Sequence, residues 1–161
     1  TSRSRGDKQT RKNSTEEEDT APKMSTGITV NDDVITKFDN FKLKRLKGVG
    51  YITMVIEGDE VVLEKEYPKT MSIADFQKEL EPDQPKYVVI DFDYTTTDGR
   101  PADKIILVSW IPDTAKIKQK MKYSGTKEAV KSALQGIAVN INATDHGECT
   151  EAEIIAACTR I

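Results

Sequence analysis

An α/β chain of the α+β type, with a mixed, mostly antiparallel sheet flanked by helices on both faces, is the fold this sequence predicts. Three observations carry it. Two pairs of β-branched, apolar runs are each joined by turn residues, segments with helical spacing lie before and between the pairs, and "WIPDTAKIKQKMKYSGTKEAVKSAL" (110–134) separates the second pair from one further strand. The expected order is helix, two strands, helix, two strands, long helix, strand, helix, giving five strands in all.

Asn31-Asp32-Asp33 offers caps for the first helix, whose apolar residues are Val34, Ile35, Phe38 and Phe41, with Leu43 and Leu46 toward its end. Gly48-Val49-Gly50 stops it. "YITMVIE" (51–57) and "EVVLEKEY" (60–67) flank Gly58-Asp59 and predict a hairpin. Ser72 caps a short helix to about Leu80, with Ile73, Phe76 and Leu80 at helical spacing. "KYVVIDFDY" (86–94) and "DKIILVSWI" (103–111) form a second hairpin across "TTTDGRPA". After the long segment and Gly136 come a strand, "IAVNINA" (137–143), and a helix from about Thr150.

Composition bounds the function. The apolar fraction of 37% is low, and residues 1–23 hold a single apolar residue, Ala21, among clustered charges, Ser and Thr. Such a segment cannot bury enough surface to offset its ordering entropy, so it is expected to be a disordered tail, natural or added for expression, with Met24 the native start. Residues 24–161 are long enough for a core without staples. A net charge of −3 argues against wholesale nucleic-acid binding. No apolar run reaches the roughly 18 residues of a membrane span, and no secretory signal is visible, so both sequons, at Asn13 and Asn142, are taken as chance. Cys149 and Cys158 show no disulfide framework, which points to a reduced, cytoplasmic protein.

The long segment poses the main question. With Ile117 set at 0° and about 100° added per residue, Ala129, Val130, Ala133, Leu134 and Ile137 centre near 190°, with Thr126 and Ala115 on the same side. Ile117 and Met121 fall at about 0° and 40°, opposite that side, with Lys118 and Lys120 flanking them at about 100° and 300°. Either Ser124-Gly125 breaks the helix so that each half buries its own face, or two large apolar side chains stand in solvent between ammonium groups, as anchors for a partner's cleft. Spacing alone leaves both readings open.

Catalysis finds little support. The lone His146 and the two cysteines lack metal-ligand spacing, and no phosphate loop, nucleophile elbow or nucleophile–base pair is present. Asp91/Asp93 and Glu64/Glu66 alternate along strands, which reads as a solvated face. The basic run "KLKRLK" (42–47) reads as the end of a helix complementing its dipole. No catalytic residue, metal or cofactor is expected.

"WIPDTAKIKQKMKYSGTKEAV", with "GITVNDD", "YVVIDFDY" and "VNINATD", resembles the actin-depolymerising factor/cofilin family over about residues 24–161. The resemblance implies the ADF-homology fold, a five-stranded mixed sheet between helices. It also implies a monomeric protein of the actin cytoskeleton that binds actin monomers and filaments and promotes filament depolymerisation, severing and turnover. Position by position, Lys118 and Lys120 match the basic residues that contact actin, and Ile117 and Met121 match the apolar contacts that enter actin's cleft. Ser25, Thr26, Gly27 and Ile28 match the arm that makes the second contact with the monomer, where Ser25 or Thr26 could accept a regulatory phosphate. At the filament site Lys104 is kept, but Ala102 replaces a basic residue, Arg100 is displaced into the loop, and Ala156-Ala157 replaces a Glu-Arg pair, leaving Arg160. The expectation is an intact monomer contact and a weakened filament contact. The alternative is a relative acting mainly as a monomer binder or on another actin-regulatory partner. Lysines 116–122 and the resemblance together imply phosphoinositide head groups as a further ligand.

Overall fold

A computed structural model describes residues 27–159, and the expectations for residues 1–23 lie outside them. The sheet has six strands in the order β1-β3-β2-β4-β5-β6. These are β1 (Thr29–Val30), β2 (Val49–Glu57), β3 (Glu60–Pro68), β4 (Lys86–Thr95), β5 (Pro101–Trp110) and β6 (Val139–Ala143). The two outermost pairings, β1 with β3 and β5 with β6, are parallel, and the rest are antiparallel. The expected count of five misses β1, whose two residues are too few to show a period-2 pattern. The amides of Thr29 and Asn31 reach the carbonyls of Asp59 and Val61, each at 3.0 Å, so β1 is a backbone feature.

The helices are α1 (Asp32–Lys42), α2 (Ile73–Gln77), α3 (Ile117–Ala133) and α4 (Glu151–Thr159), with a 3₁₀ turn at His146–Cys149. Caps define their starts. Asn31 accepts from the Asp33 amide at 2.8 Å, Ser72 from Asp75 at 3.1 Å, and Thr150 from Glu153 at 3.2 Å. After α2, i→i−3 bonds from Lys78, Glu79 and Leu80 tighten the chain, so the regular helix ends before Leu80 although Leu80 stays buried.

Helices cover both faces because β4 and β5 are buried on both. Val34, Phe38 and Phe41 of α1 and Tyr123 and Val130 of α3, with Leu134 just beyond it, pack over Ile52, Met54, Tyr87, Val89, Ile105 and Leu107. Ile73 and Phe76 of α2, Cys149, and Ile154 and Cys158 of α4 pack over Tyr51, Val88, Ile90, Ile106 and Val108. Residue parity along β4 and β5 assigns each side chain to its core. Trp110 anchors the second core by donating Nε1–H to the Glu81 carbonyl at 2.9 Å, its ring lying 4.7 Å from that of His146.

The end of α1 departs from the sequence reading. Lys44 and Arg45 donate back to the carbonyls of Phe41 and Asn40, closing the helix with Lys44 at φ 63°, a left-handed position usually given to glycine. Leu43 and Leu46 therefore lie beyond the helix, and Leu43 is exposed. A non-glycine residue costs about 1–2 kcal/mol in this conformation. What holds Lys44 there is its ammonium, 2.7 Å from the carboxylates of both Asp91 and Asp103. Lys69 adds pairs to Asp91 at 3.1 Å and Asp93 at 3.2 Å. The alternating Asp91/Asp93 pair is thus no solvated face: Asp91 is buried and joins two loops to the β4–β5 hairpin. "KLKRLK" is likewise divided, because Lys42 donates to the Gln135 carbonyl at 2.7 Å while Lys44 is held by the aspartates.

A second charged group lies at the other end of β4. Lys86, 4% exposed, pairs with Glu64 at 3.0 Å, and Glu64 also accepts from Thr53 at 2.9 Å. Burial alone would raise the Glu64 pKa, but the bonds from Lys86 and Thr53 outweigh it and hold the group below the usual carboxylate range. Its contribution is therefore present above a pH of about 4.5 and is lost as pH falls through the depressed value. Glu64→Gln strands the buried Lys86 ammonium and should cost about 2 kcal/mol at pH 7, a buried-pair value reduced because Glu64 is partly exposed. Urea unfolding at pH 7 and pH 3 should show that difference closing at the lower pH.

Candidate functional site

α3 runs unbroken through Ser124-Gly125, so the broken-helix reading fails. Its fully buried residues are Tyr123, Thr126 and Val130, at about 240°, 180° and 220° on the angular scale, and Thr126 folds its hydroxyl onto the Lys122 carbonyl at 2.7 Å. Ala129, expected on the core side at about 120°, is exposed, so the core-facing stripe is narrower than the apolar spacing suggests. Ile117 and Met121 are 71% and 68% exposed, two of four large apolar residues that stand in solvent among the described residues.

The lysines beside them differ. The Lys118 side chain is exposed and makes no hydrogen bond or ion pair among the described residues. Lys120 donates to the Asp113 carbonyl at 3.2 Å, which holds its stem along the start of the helix. Lys116 occupies the N-cap in extended conformation without a side-chain cap bond, and the first turn contains no acidic residue. Positive side chains thus crowd the positive end of the helix dipole, a local arrangement that opposes stability and favours an anionic or acidic partner.

The described residues include part of the expected arm. Gly27 is exposed at φ 77°, and Ile28 is half-buried against the core under α1 and α3. β1 lies against α3, and Ile28 packs on the core that Tyr123 of that helix enters. Ser25 and Thr26 lie outside the described residues.

Of the residues expected at the filament site, Arg100 and Lys104 lie toward the opposite end of the β4–β5 ladder. α3 follows the Lys86/Trp110 end of the β4–β5 ladder, whereas Arg100 lies in the turn beyond Thr95/Pro101, about 30 Å away for ten strand residues. Arg100 pairs with Asp98 at 2.9 Å on the exposed turn. Lys104 donates to the Cys158 carbonyl at 2.8 Å and lies 5.9 Å from the Tyr94 ring centre, so its ammonium serves the carboxyl end of α4. Ala102 pairs with Tyr94 across the ladder, Ala156 is exposed, and Arg160 lies outside the described residues.

Other titratable groups have structural partners. Burial pushes both the Cys149 and Cys158 thiols up, away from the reactive thiolate. The His146 Nε2 lies 2.9 Å from the Leu80 carbonyl. Among the described residues Asp91, Asp93 and Asp103 bring carboxylate oxygens within 4.8 Å of one another, but Lys44 and Lys69 already supply the cationic charge between them. A divalent ion there would have to displace two ammonium groups. No described helix is long and apolar enough to cross a membrane.

Tyr123 gained no separate role from the sequence, although it closes the run "KQKMKY" (118–123) that holds Lys118, Lys120 and Met121. Its hydroxyl accepts the Ile56 amide at 2.9 Å, and Tyr87 donates to its carbonyl at 2.5 Å. Its angle, on the core side and nearly opposite Met121, was the available signal.

The chain is thus an open mixed sheet between two pairs of helices, with exposed apolar and basic side chains at the start of one helix. Residues 27–159 match the model of the cofilin/tropomyosin-type actin-binding proteins, and the chain belongs to that family. It is 38% identical to actophorin of Entamoeba histolytica over 130 residues, covering 81% of this chain and 94% of that one. It is 36% identical to actin-depolymerizing factor 12 of Arabidopsis thaliana over 124 residues, 77% of this chain and 89% of the relative. The crystal structure of Streptomyces griseoflavus cofilin superposes with a TM-score of 0.71 at 33% identity, covering 80% and 95% of the two chains.

Capping the helix tests whether its amino-terminal end is held below its best stability. Lys116→Ser should stabilise the chain by about 1 kcal/mol in denaturant unfolding by supplying the missing cap.

Proposed function

We propose that this chain binds actin monomers through the amino-terminal half of α3 together with the Gly27–Ile28 arm, and that it promotes the depolymerisation of filaments. One observation carries this reading: Ile117 and Met121 stand in solvent on an unbroken helix, flanked by Lys118 and Lys120. Apolar anchors of this kind supply affinity when a partner's cleft desolvates them, and the flanking ammonium groups steer an acidic partner. Names of relatives such as actin-depolymerizing factor 12 support the activity.

Filament binding and severing are proposed to be weaker than monomer binding. Lys104 is engaged with Cys158, Arg100 with Asp98, and α4 presents Ala156 where the family often carries charge. Phosphorylation of Ser25 or Thr26 would place about −1.5 to −2 charges next to Gly27, close to the same surface. Phosphoinositide head groups form a second ligand class, supported by the uncapped, lysine-rich start of α3. Both ligands would then compete for Lys118.

Lys118→Ala/Lys120→Ala should weaken binding to fluorescently labelled actin monomers at least tenfold and slow filament disassembly, with the melting temperature unchanged within a few degrees. Unchanged monomer affinity would contradict the assignment. In co-sedimentation the wild-type chain should bind filaments below full stoichiometry at concentrations that saturate monomers; full stoichiometry with ordinary severing in microscopy would remove the filament-side claim.

A further inference from the structure

Besides direct packing, a row of directional contacts crossing three strands joins the two halves of the proposed monomer surface. β2 pairs with β4 only as far as Met54 opposite Tyr87, so the Ile56 amide lies past the end of that ladder. The Tyr123 hydroxyl of α3 accepts that amide at 2.9 Å. Ile56 pairs with Val61 of β3, and Val61 pairs on its other side with Val30 of β1, two residues from Ile28. Tyr123, Ile56, Val61 and Val30 thus form one transverse line from the helix to the arm. Asn31 extends it, its amide bonded to the Val61 carbonyl at 3.0 Å and its side chain to Glu60 at 3.3 Å.

Packing of β1 on α3 brings the two segments together but does not fix how far α3 slides or rolls, because apolar contacts are not directional. The Tyr123 hydroxyl is directional, and it leaves the helix only two residues after Met121. Tyr123 is itself 1% exposed and held from the other side by the Tyr87 hydroxyl. A displacement of the arm can therefore reach α3 through the Val61–Ile56 row, and docking of α3 can reach the arm by the same route.

We propose that Tyr123 is a positioning residue that couples the arm to α3, so that the two contacts with an actin monomer form cooperatively. The proposal rests on the functional reading above and adds to it which residue aligns the surface. Tyr123→Phe keeps the ring against Tyr87 and removes only the hydroxyl.

The test is a double-mutant cycle with labelled actin monomers. Ile28→Ala and Ile117→Ala should be non-additive in the wild-type background and additive in Tyr123→Phe, which should itself bind about 5–20-fold more weakly while still melting cooperatively. Tyr87→Phe should leave the non-additivity in place, because it removes a bond to the Tyr123 carbonyl and spares the hydroxyl; this separates positioning from a general loss of stability. Hydrogen exchange on the unmodified chain gives a measurement independent of any variant's folding: actin monomers should slow exchange at the Ile56 amide. Tyr123→Phe binding within twofold of wild type, an unchanged cycle, or Ile56 exchange indifferent to actin would overturn the positioning role. Failure of the wild-type chain to bind monomers would instead overturn the functional reading itself.

Discussion

Burial of β4 and β5 on both faces is the constraint from which the rest of the architecture follows. From Lys86 to Phe92 and from Ile105 to Trp110 every residue is buried, so the sheet needs helices on each side. Two cores result, one under α1 and α3 and one under α2 and α4, and residue parity along the central hairpin keeps them separate. α3 meets its share of this burial with only three fully buried residues across seventeen, which frees most of its surface. The ten-residue central hairpin also sets the distance between the start of α3 at one end and the Arg100 turn at the other. A sheet that only had to bury one face would impose neither the second pair of helices nor this separation.

Much of this was legible in the sequence, where periodicity was long enough to read. Both hairpins, the Asn31 and Ser72 caps and the opposition of Ile117 and Met121 to the core follow from turn chemistry and angular position. Three features were not legible, each for a physical reason. β1 is held by backbone amides, which leave no side-chain pattern. The end of α1 depends on Lys44 taking a position that composition assigns to glycine, and only its distant partners Asp91 and Asp103 make that tolerable. Asp91 and Asp93 alternate as a solvated strand face would, yet loops folding over the sheet end bury Asp91. Long-range ion pairs of this kind have no local sequence signature.

The lysines show how composition can overstate a charged surface. Lys42 is tied to the Gln135 carbonyl, Lys44 and Lys69 to the aspartate cluster, Lys86 to Glu64, and Lys104 to the carboxyl end of α4. Each joins elements distant in sequence, and each is thereby committed to the fold. Lys118 is exposed without such a partner among the described residues, and it lies beside the exposed apolar pair. Basic residues are divided between holding the sheet ends together and facing outward, and Lys116 and Lys118 at the start of α3 are among the outward ones. The same division accounts for the contrast between the two ends of the sheet, since Lys104 keeps its residue type while its ammonium is occupied.

The exposure of Ile117 and Met121 has a consequence for the chain in isolation. Two copies meeting through these side chains would bring Lys118 of each copy against that of the other in a space from which water is being expelled. Like charges become more repulsive as the local dielectric falls, so the lysines act as gatekeepers against homotypic pairing. An opposing surface that contributes carboxylates removes that repulsion while using the same apolar contact. The charged rim therefore opposes pairing of two copies through this surface and favours a surface that carries carboxylates.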